Sequence, residues 1–313
     1  MTAATVPKHS YPAILKDAAR VAWQVEDLIG PHRPLDFTRP FLPEALVQAK
    51  AIPGLDAEAA RLLNQIRSNS YLHLFGLVEE FILPLVVDHA KTLGCDDIAA
   101  TQAYLGFATE ESKHIRLFRE FAAAFEAGFG HRCEVIGPPQ AIADFVLSHS
   151  PLGVALVTLH IEWMTQRHFL ESVRHQQDAL DPQFCSLLKH HWQEEAQHAR
   201  LDALMVGSMA QTMDARGIAT AIDDYIAIIR YLYQGFKAQV QLDIASLERV
   251  TERTFSAPKR NEMQRIQERS YQNAFLIAGM THPSFEQSVR ALSATGYAQI
   301  AALTHEFLSD DDQ

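Results

Sequence analysis

HWQEEAQH, residues 191–198, brings His191, Glu195 and His198 together on one helical face, because positions three and four apart in an α-helix stand one above the other. EESKH, residues 110–114, repeats the device with Glu111 and His114. Two single glutamates complete the set: Glu79 in LVEEFILP, residues 77–84, and Glu162 in LHIEWM, residues 159–164. Each piece lies in a stretch whose apolar residues recur every three or four positions, which predicts a long helix. In chain order the pattern is Glu, Glu-x-x-His, Glu, His-x-x-x-Glu-x-x-His, or four carboxylates and three imidazoles. A four-helix bundle that turns these side chains inward can hold two iron or manganese ions in its core. The sequence therefore predicts an all-α protein built around a dinuclear metal site.

The neighbours of these residues favour inward placement. Leu72, Phe75, Ile82, Leu83 and Val86 flank Glu79, Phe107, Ile115 and Phe118 flank Glu111, and Ala155, Thr158 and Leu159 flank Glu162. A carboxylate among such neighbours is costly unless it pairs or binds a cation. Carboxylates can bridge two ions, and imidazoles add nitrogen donors suited to iron. The alternative, glutamates and histidines on solvated helical faces, leaves Glu162 in PLGVALVTLHIEWM unexplained. Glu79 is preferred to Glu80 as the first ligand because its same-face neighbours are more apolar. Glu110 and Glu194 also stand beside the ligand pairs, either behind the ligands or facing solvent. Phe75, Tyr104, Phe107, Thr158, Thr165, Phe169 and Leu188 lie near the ligand turns and are candidate pocket residues, with ordinary core the competing reading. For the two threonines a bond to their own helix carbonyls is the preferred reading.

Around this centre the periodicity is helical almost throughout. The proline-rich residues 1–55 form an N-terminal extension with one short helix near 13–29, residues 56–216 form the bundle, and residues 217–313 add further helices, all in one domain. The ligand helices are expected over 70–92, 96–128, 151–176 and from Asp181-Pro182 to about 215, with Gly217 closing the last. Residues 218–247, 258–279 and 284–307 read as helices that pack outside the bundle or form a homodimer surface, and SDDDQ as a frayed tail.

The 313 residues carry 48% hydrophobic and 21% charged residues and a formal charge of −11. The acidic balance argues against a nucleic-acid partner, and part of it sits in the four clustered glutamates, which two divalent ions would neutralise. Cys95, Cys133 and Cys185 form no C-x-x-C pair and fit reduced thiols in the cytoplasm. The N-terminal stretch has no signal-peptide core, and no uninterrupted apolar run reaches the roughly 20 residues that span a bilayer, so neither export nor a membrane is expected.

The ligand order resembles that of the ferritin-like di-iron carboxylate superfamily. His191, one turn before Glu195, is similar to the third histidine ligand of the p-aminobenzoate N-oxygenase family, and Tyr71-Leu72 and the run to Glu79 look like that family's first ligand helix. Position 110 is Glu where that family usually carries Asp, and the resemblance covers roughly residues 70–205. It implies a ferritin-like four-helix bundle with Glu79, Glu111, His114, Glu162, His191, Glu195 and His198 as the seven protein ligands of two iron ions, manganese or a mixed Fe/Mn pair being the alternative. It further implies an O2-activating oxygenase that transfers an oxygen atom to a small organic substrate, an amine on the narrower reading, with a reductase or ferredoxin-type electron donor. Rival readings are hydroxylation or desaturation of an acyl or aromatic substrate, a metal-handling protein without a substrate, and a radical-generating subunit, which would need a tyrosine close to the metals; Tyr71 lies two turns from Glu79.

Overall fold

Aspartates and a serine start the long helices. The computed structural model describes residues 9–309. Its helices are α1 (Tyr11–Ala18), α2 (Val25–Leu28), α3 (Glu44–Val47), α4 (Ala57–Leu93), α5 (Ile98–Phe129), α6 (Pro139–Leu147), α7 (Pro151–Arg167), α8 (Pro182–Gln211), α9 (Ala215–Thr251), α10 (Ala257–Gln272), α11 (Ala278–Met280), α12 (Pro283–Leu292) and α13 (Ala294–Ser309). Asp56, Asp97, Ser150, Asp181 and Asp214 each accept a backbone N–H of the first turn that follows, satisfying a donor that the helix itself leaves unpaired. No strand occurs among the described residues, only an isolated bridge between Gly30 and Arg33.

The fold of the described residues is all-α. α4 packs along α5 and α7 along α8, and the two pairs close on each other to form a four-helix bundle, with α9 covering α4 and α7 and α10 covering α9. The apolar core runs unbroken through these helices. α4 is long and apolar enough to cross a membrane, but most of its apolar stretch is buried inside the protein, as befits the central helix of a bundle.

Several helix limits differ from those the pattern predicts. The helix expected over 13–29 is two short pieces, and Gln24 and Asp27 form a capping box that restarts the chain at α2. The first ligand helix begins at Ala57 and runs through Pro84 to Leu93, where buried Phe81, Ile82, Leu85 and Val86 hold it together across the missing backbone donor. The crossover after α5 leads into α6. Gly217 does not close the fourth helix; α8 ends at Gln211, and the Gly217 N–H donates to Asp214 Oδ1 at 2.8 Å to open α9. The stretch 284–307 breaks at Ser293, whose backbone is extended. Of the acidic tail, Ser309 ends α13 and residues 310–313 lie outside the described chain.

Two segments widen into π turns, His168–Val173 after α7 and Asn273–Ile277 after α10. Such turns leave carbonyls without their usual helical partners. Two buried histidines of the third ligand helix and its π turn take up that role. His160 Nε2 meets the Phe275 carbonyl at 2.9 Å and His168 Nε2 meets that of Ala274 at 2.8 Å. Their Nδ1 atoms face the Tyr225 and Tyr71 hydroxyls at 2.8 and 3.2 Å. Burial lowers both histidines to about 4, so each is neutral, with Nε2–H donating to the carbonyl and Nδ1 accepting from the tyrosine.

Candidate metal centre

The bundle turns Glu79 from α4, Glu111 and His114 from α5, Glu162 from α7, and His191, Glu195 and His198 from α8 into one buried volume, and none is more than 3% exposed. Their nitrogen and oxygen atoms form two overlapping groups. Glu79, His114, His191 and Glu195 make one; Glu111, His114, Glu195 and His198 make the other, and within each group the donor atoms all lie within 4.8 Å of one another. Glu195 is the hub. Its Oε1 lies 3.1 Å from His114 Nδ1 and 2.5 Å from His191 Nε2, and its Oε2 lies 2.8 Å from His198 Nδ1. His198 Nδ1 is also 2.8 Å from Glu111 Oε1, and His191 Nε2 is 3.3 Å from Glu79 Oε1. Glu162 falls in neither group but shares a hydrogen bond with Glu195.

These short separations do not amount to a closed hydrogen-bond network. Glu79 Oε2, both oxygens of Glu111, Glu162 Oε2, Glu195 Oε1 and His114 Nδ1 are buried with no partner in hydrogen-bond geometry. Leaving even one such atom unmatched costs about 1–3 kcal/mol. Donor atoms about 3 Å apart whose lone pairs converge are what neighbouring ligands of an octahedral ion look like when each is about 2.1 Å from it. The charge agrees as well: four ligand carboxylates balance two divalent cations. The residues present thus fit a dinuclear site of the kind carboxylate–histidine bundles hold.

Protonation supports the same conclusion. Burial pulls the His114 imidazole down, but Glu195, Glu194 and Glu111 outweigh it and carry it up to about 9. His198 rises likewise against burial, through Glu195, Glu111 and Glu110. Burial, reinforced by the charge of Glu195, pushes the Glu162 carboxyl well above the usual range. The clustered carboxylates thus draw positive charge onto the imidazoles of His114 and His198.

The paired glutamates resolve in space. Glu80 points away from the bundle and pairs with Arg119 at 2.8 Å. Glu110 Oε2 lies 2.8 Å from His198 Nε2, and Glu194 Oε2 lies 2.8 Å from His114 Nε2. Each helix therefore holds the other's histidine by its outer nitrogen and turns Nδ1 towards the centre, the arrangement by which outer carboxylates orient metal-binding imidazoles. His191 presents Nε2 instead. The candidate pocket residues divide too. Thr158 and Thr165 donate to the carbonyls of Val154 and Ile161 in their own helix. Tyr104 donates to the Leu201 carbonyl, Phe107 stacks on His198, Phe169 stacks on Trp192, and Leu188 is buried core. Tyr71 stacks on Phe75, and its hydroxyl contacts His168.

Three residues at the site have no place in the motif. Trp23, from the N-terminal segment, stacks over His114 with ring centres 6.0 Å apart. Lys113 lies over the Trp23 ring at 3.8 Å and ion-pairs with Glu194. The third, Asp202, is fully buried one turn beyond His198, with neither carboxylate oxygen hydrogen-bonded. Continuing the 195–198 face by one turn reaches Asp202, so periodicity could have found it; nothing local in the sequence marks Trp23.

No protein-family model matches the chain, and no curated protein matches it. Among solved structures, it aligns with a variant of an R2-like ligand-binding oxidase bearing an aerobically reconstituted Fe/Fe cofactor, at 13% identity and a TM-score of 0.46, over 85% of this chain and 93% of that one. A second variant of such an oxidase, with an anaerobically reconstituted Mn/Fe cofactor, aligns at 12% identity and a TM-score of 0.48, over 86% and 93% of the two chains. The class that fold and site define here is an all-α four-helix-bundle protein with a buried carboxylate–histidine cluster.

Proposed function

We propose that this protein is a non-haem di-metal oxygenase that activates O2 for oxygen-atom transfer to a small organic substrate. Glu79, Glu111, His114, Glu162, His191, Glu195 and His198 hold two iron ions, or an Fe/Mn pair, with Glu195 central. The observation that carries the reading is the set of buried, converging donor atoms without hydrogen-bond partners. When bound, the metal pair supplies O2 binding and reduction. The chain supplies the rest. Glu110 and Glu194 keep the outer protons of His198 and His114 in place, so that both Nδ1 lone pairs face inward. Lys113 holds Glu194, and Trp23 shields His114 from water. Phe75, Phe107 and Phe118, packed on His191 and His198, keep that side of the site dry.

Transfer of one oxygen atom from O2 leaves the second to be reduced to water, so an external donor, of the reductase or ferredoxin type, provides two electrons per turnover. The narrower reading is amine N-oxygenation. His191 supports it, because its imidazole reaches Glu195 and Glu79 and adds a third nitrogen donor to the cluster.

The test is metal content after anaerobic reconstitution with ferrous iron, followed by the optical spectrum on exposure to oxygen. About two irons per chain and an oxygen-dependent visible change are expected. A reconstituted protein with no metal above background would refute the proposal.

A further inference from the structure

Beside the metal centre lies a cavity of about 420 Å³, enclosed by α4, α7, α9, the 135–137 segment and the π turn at 273–277. That volume falls in the range of small-molecule sites. Leu74, Ile161, Met164, Ile229 and Phe275 are representative of its wall, and no Lys, Arg, Asp or Glu lines it. Its one histidine, His160, has both ring nitrogens engaged, by the Phe275 carbonyl and the Tyr225 hydroxyl. The cavity thus offers no counter-charge to an ion.

It meets the site at Phe75. Phe75 lines the cavity, stands one turn before Glu79 on α4, and meets the His191 ring edge-on with centres 5.5 Å apart. Phe275, from the π turn, packs on the Phe75 ring with centres 6.0 Å apart. On the facing helix, Ile161 and Met164 flank Glu162.

We infer that this cavity binds the organic substrate, and that the substrate is an uncharged, largely apolar molecule whose reacting end rests at Phe75. The inference builds on the oxygenase reading and narrows its substrate class. For an amine, it selects uncharged arylamines and disfavours aminobenzoates. A carboxylate would have to leave water for a wall without a cation, and burial of an unpaired charge is strongly unfavourable. An apolar ring gains from the same burial.

The test uses the iron-reconstituted full chain and the neutral fluorescent arylamine N-phenyl-1-naphthylamine. Saturable binding of one probe per chain is expected, displaced by p-toluidine at least tenfold more effectively than by 4-aminobenzoate. Ile229→Trp, which fills the cavity, and Ala238→Trp, at its exposed rim, should each weaken the probe at least tenfold while metal content stays unchanged. The second variant covers misfolding of the first. Equal displacement by 4-aminobenzoate would overturn the substrate class. Absence of probe binding, or binding indifferent to substitution in folded, metal-loaded protein, would overturn the site while leaving the metal reading intact. Probe binding by a protein that takes up no iron would overturn the oxygenase reading and, with it, the assignment of the bound molecule as substrate.

Discussion

Two buried polar clusters share helix α4, and they differ in one respect. Near its first half, Asp243 of α9 accepts hydrogen bonds from Ser70 at 2.6 Å, Gln239 at 2.9 Å and Tyr271 at 2.7 Å, while the Arg67 guanidinium lies 3.3 Å from the Tyr271 ring centre. Both Asp243 oxygens are occupied by protein donors. Further along, around Glu79, the carboxylates crowd together with several oxygens matched by nothing. Burial penalises both clusters alike. In the first, protein donors occupy the carboxylate and join α4 to α9 and α10, with Arg67 Nε alone of the named groups left over. In the second the carboxylates themselves are left over, and the two cations proposed above would complete them.

The strongest way to break this contrast is Glu195→Ala. Removing the hub should abolish the binding of both ions, read as iron per chain after reconstitution; retention of two irons would show that the cluster does not depend on its centre. Asp243→Ala should do the opposite. It leaves Arg67 buried without its anionic neighbour and should cost about 3–5 kcal/mol in urea unfolding, with iron per folded chain unchanged. Loss of iron at equal folding would mean that the two clusters are one system.

Glu194→Gln keeps a hydrogen-bond acceptor but removes its charge, and should weaken metal affinity about 10–100-fold in chelator competition; an unaltered affinity would reduce Glu194 to a buried tie for Lys113. The smallest effect belongs to a third kind of buried group. His168, lowered to about 4 by burial, takes up protons more readily unfolded than folded. Its contribution to stability is therefore present above about 6.5 and is lost as pH falls towards about 4. His168→Gln should flatten the acid side of the stability profile by about 1–3 kcal/mol. A profile of unchanged slope would show that His168 is not held neutral.

The sequence carried the bundle because ligand spacing and apolar periodicity point to the same faces: Glu111 with His114, and Glu195 with His198, are already neighbours before any tertiary contact forms. The helix start at Asp181-Pro182 was legible for the same local reason. What escaped were relations between distant segments. Nothing in EESKH says that Glu110 answers to His198 on another helix. Trp23 reaches His114 only because the N-terminal segment folds back over the bundle. The π turn at 273–277 offers its carbonyls to His160 and His168, partners more than a hundred residues away. Gly217 misled because a glycine past a helix suits both the end of one and the first turn of the next.

The reciprocal bonds Glu110–His198 and Glu194–His114 have a mechanical side. They are two rungs between the same pair of helices, roughly one turn apart. Sliding α5 along α8 would strain both rungs together, so the register of the two helices is locked by the protein alone. The spacing of the inner imidazoles is then a property of the scaffold, fixed before any ion arrives. An ion entering this site would find its geometry already built, and the ordering cost of the cavity would fall on folding and not on binding.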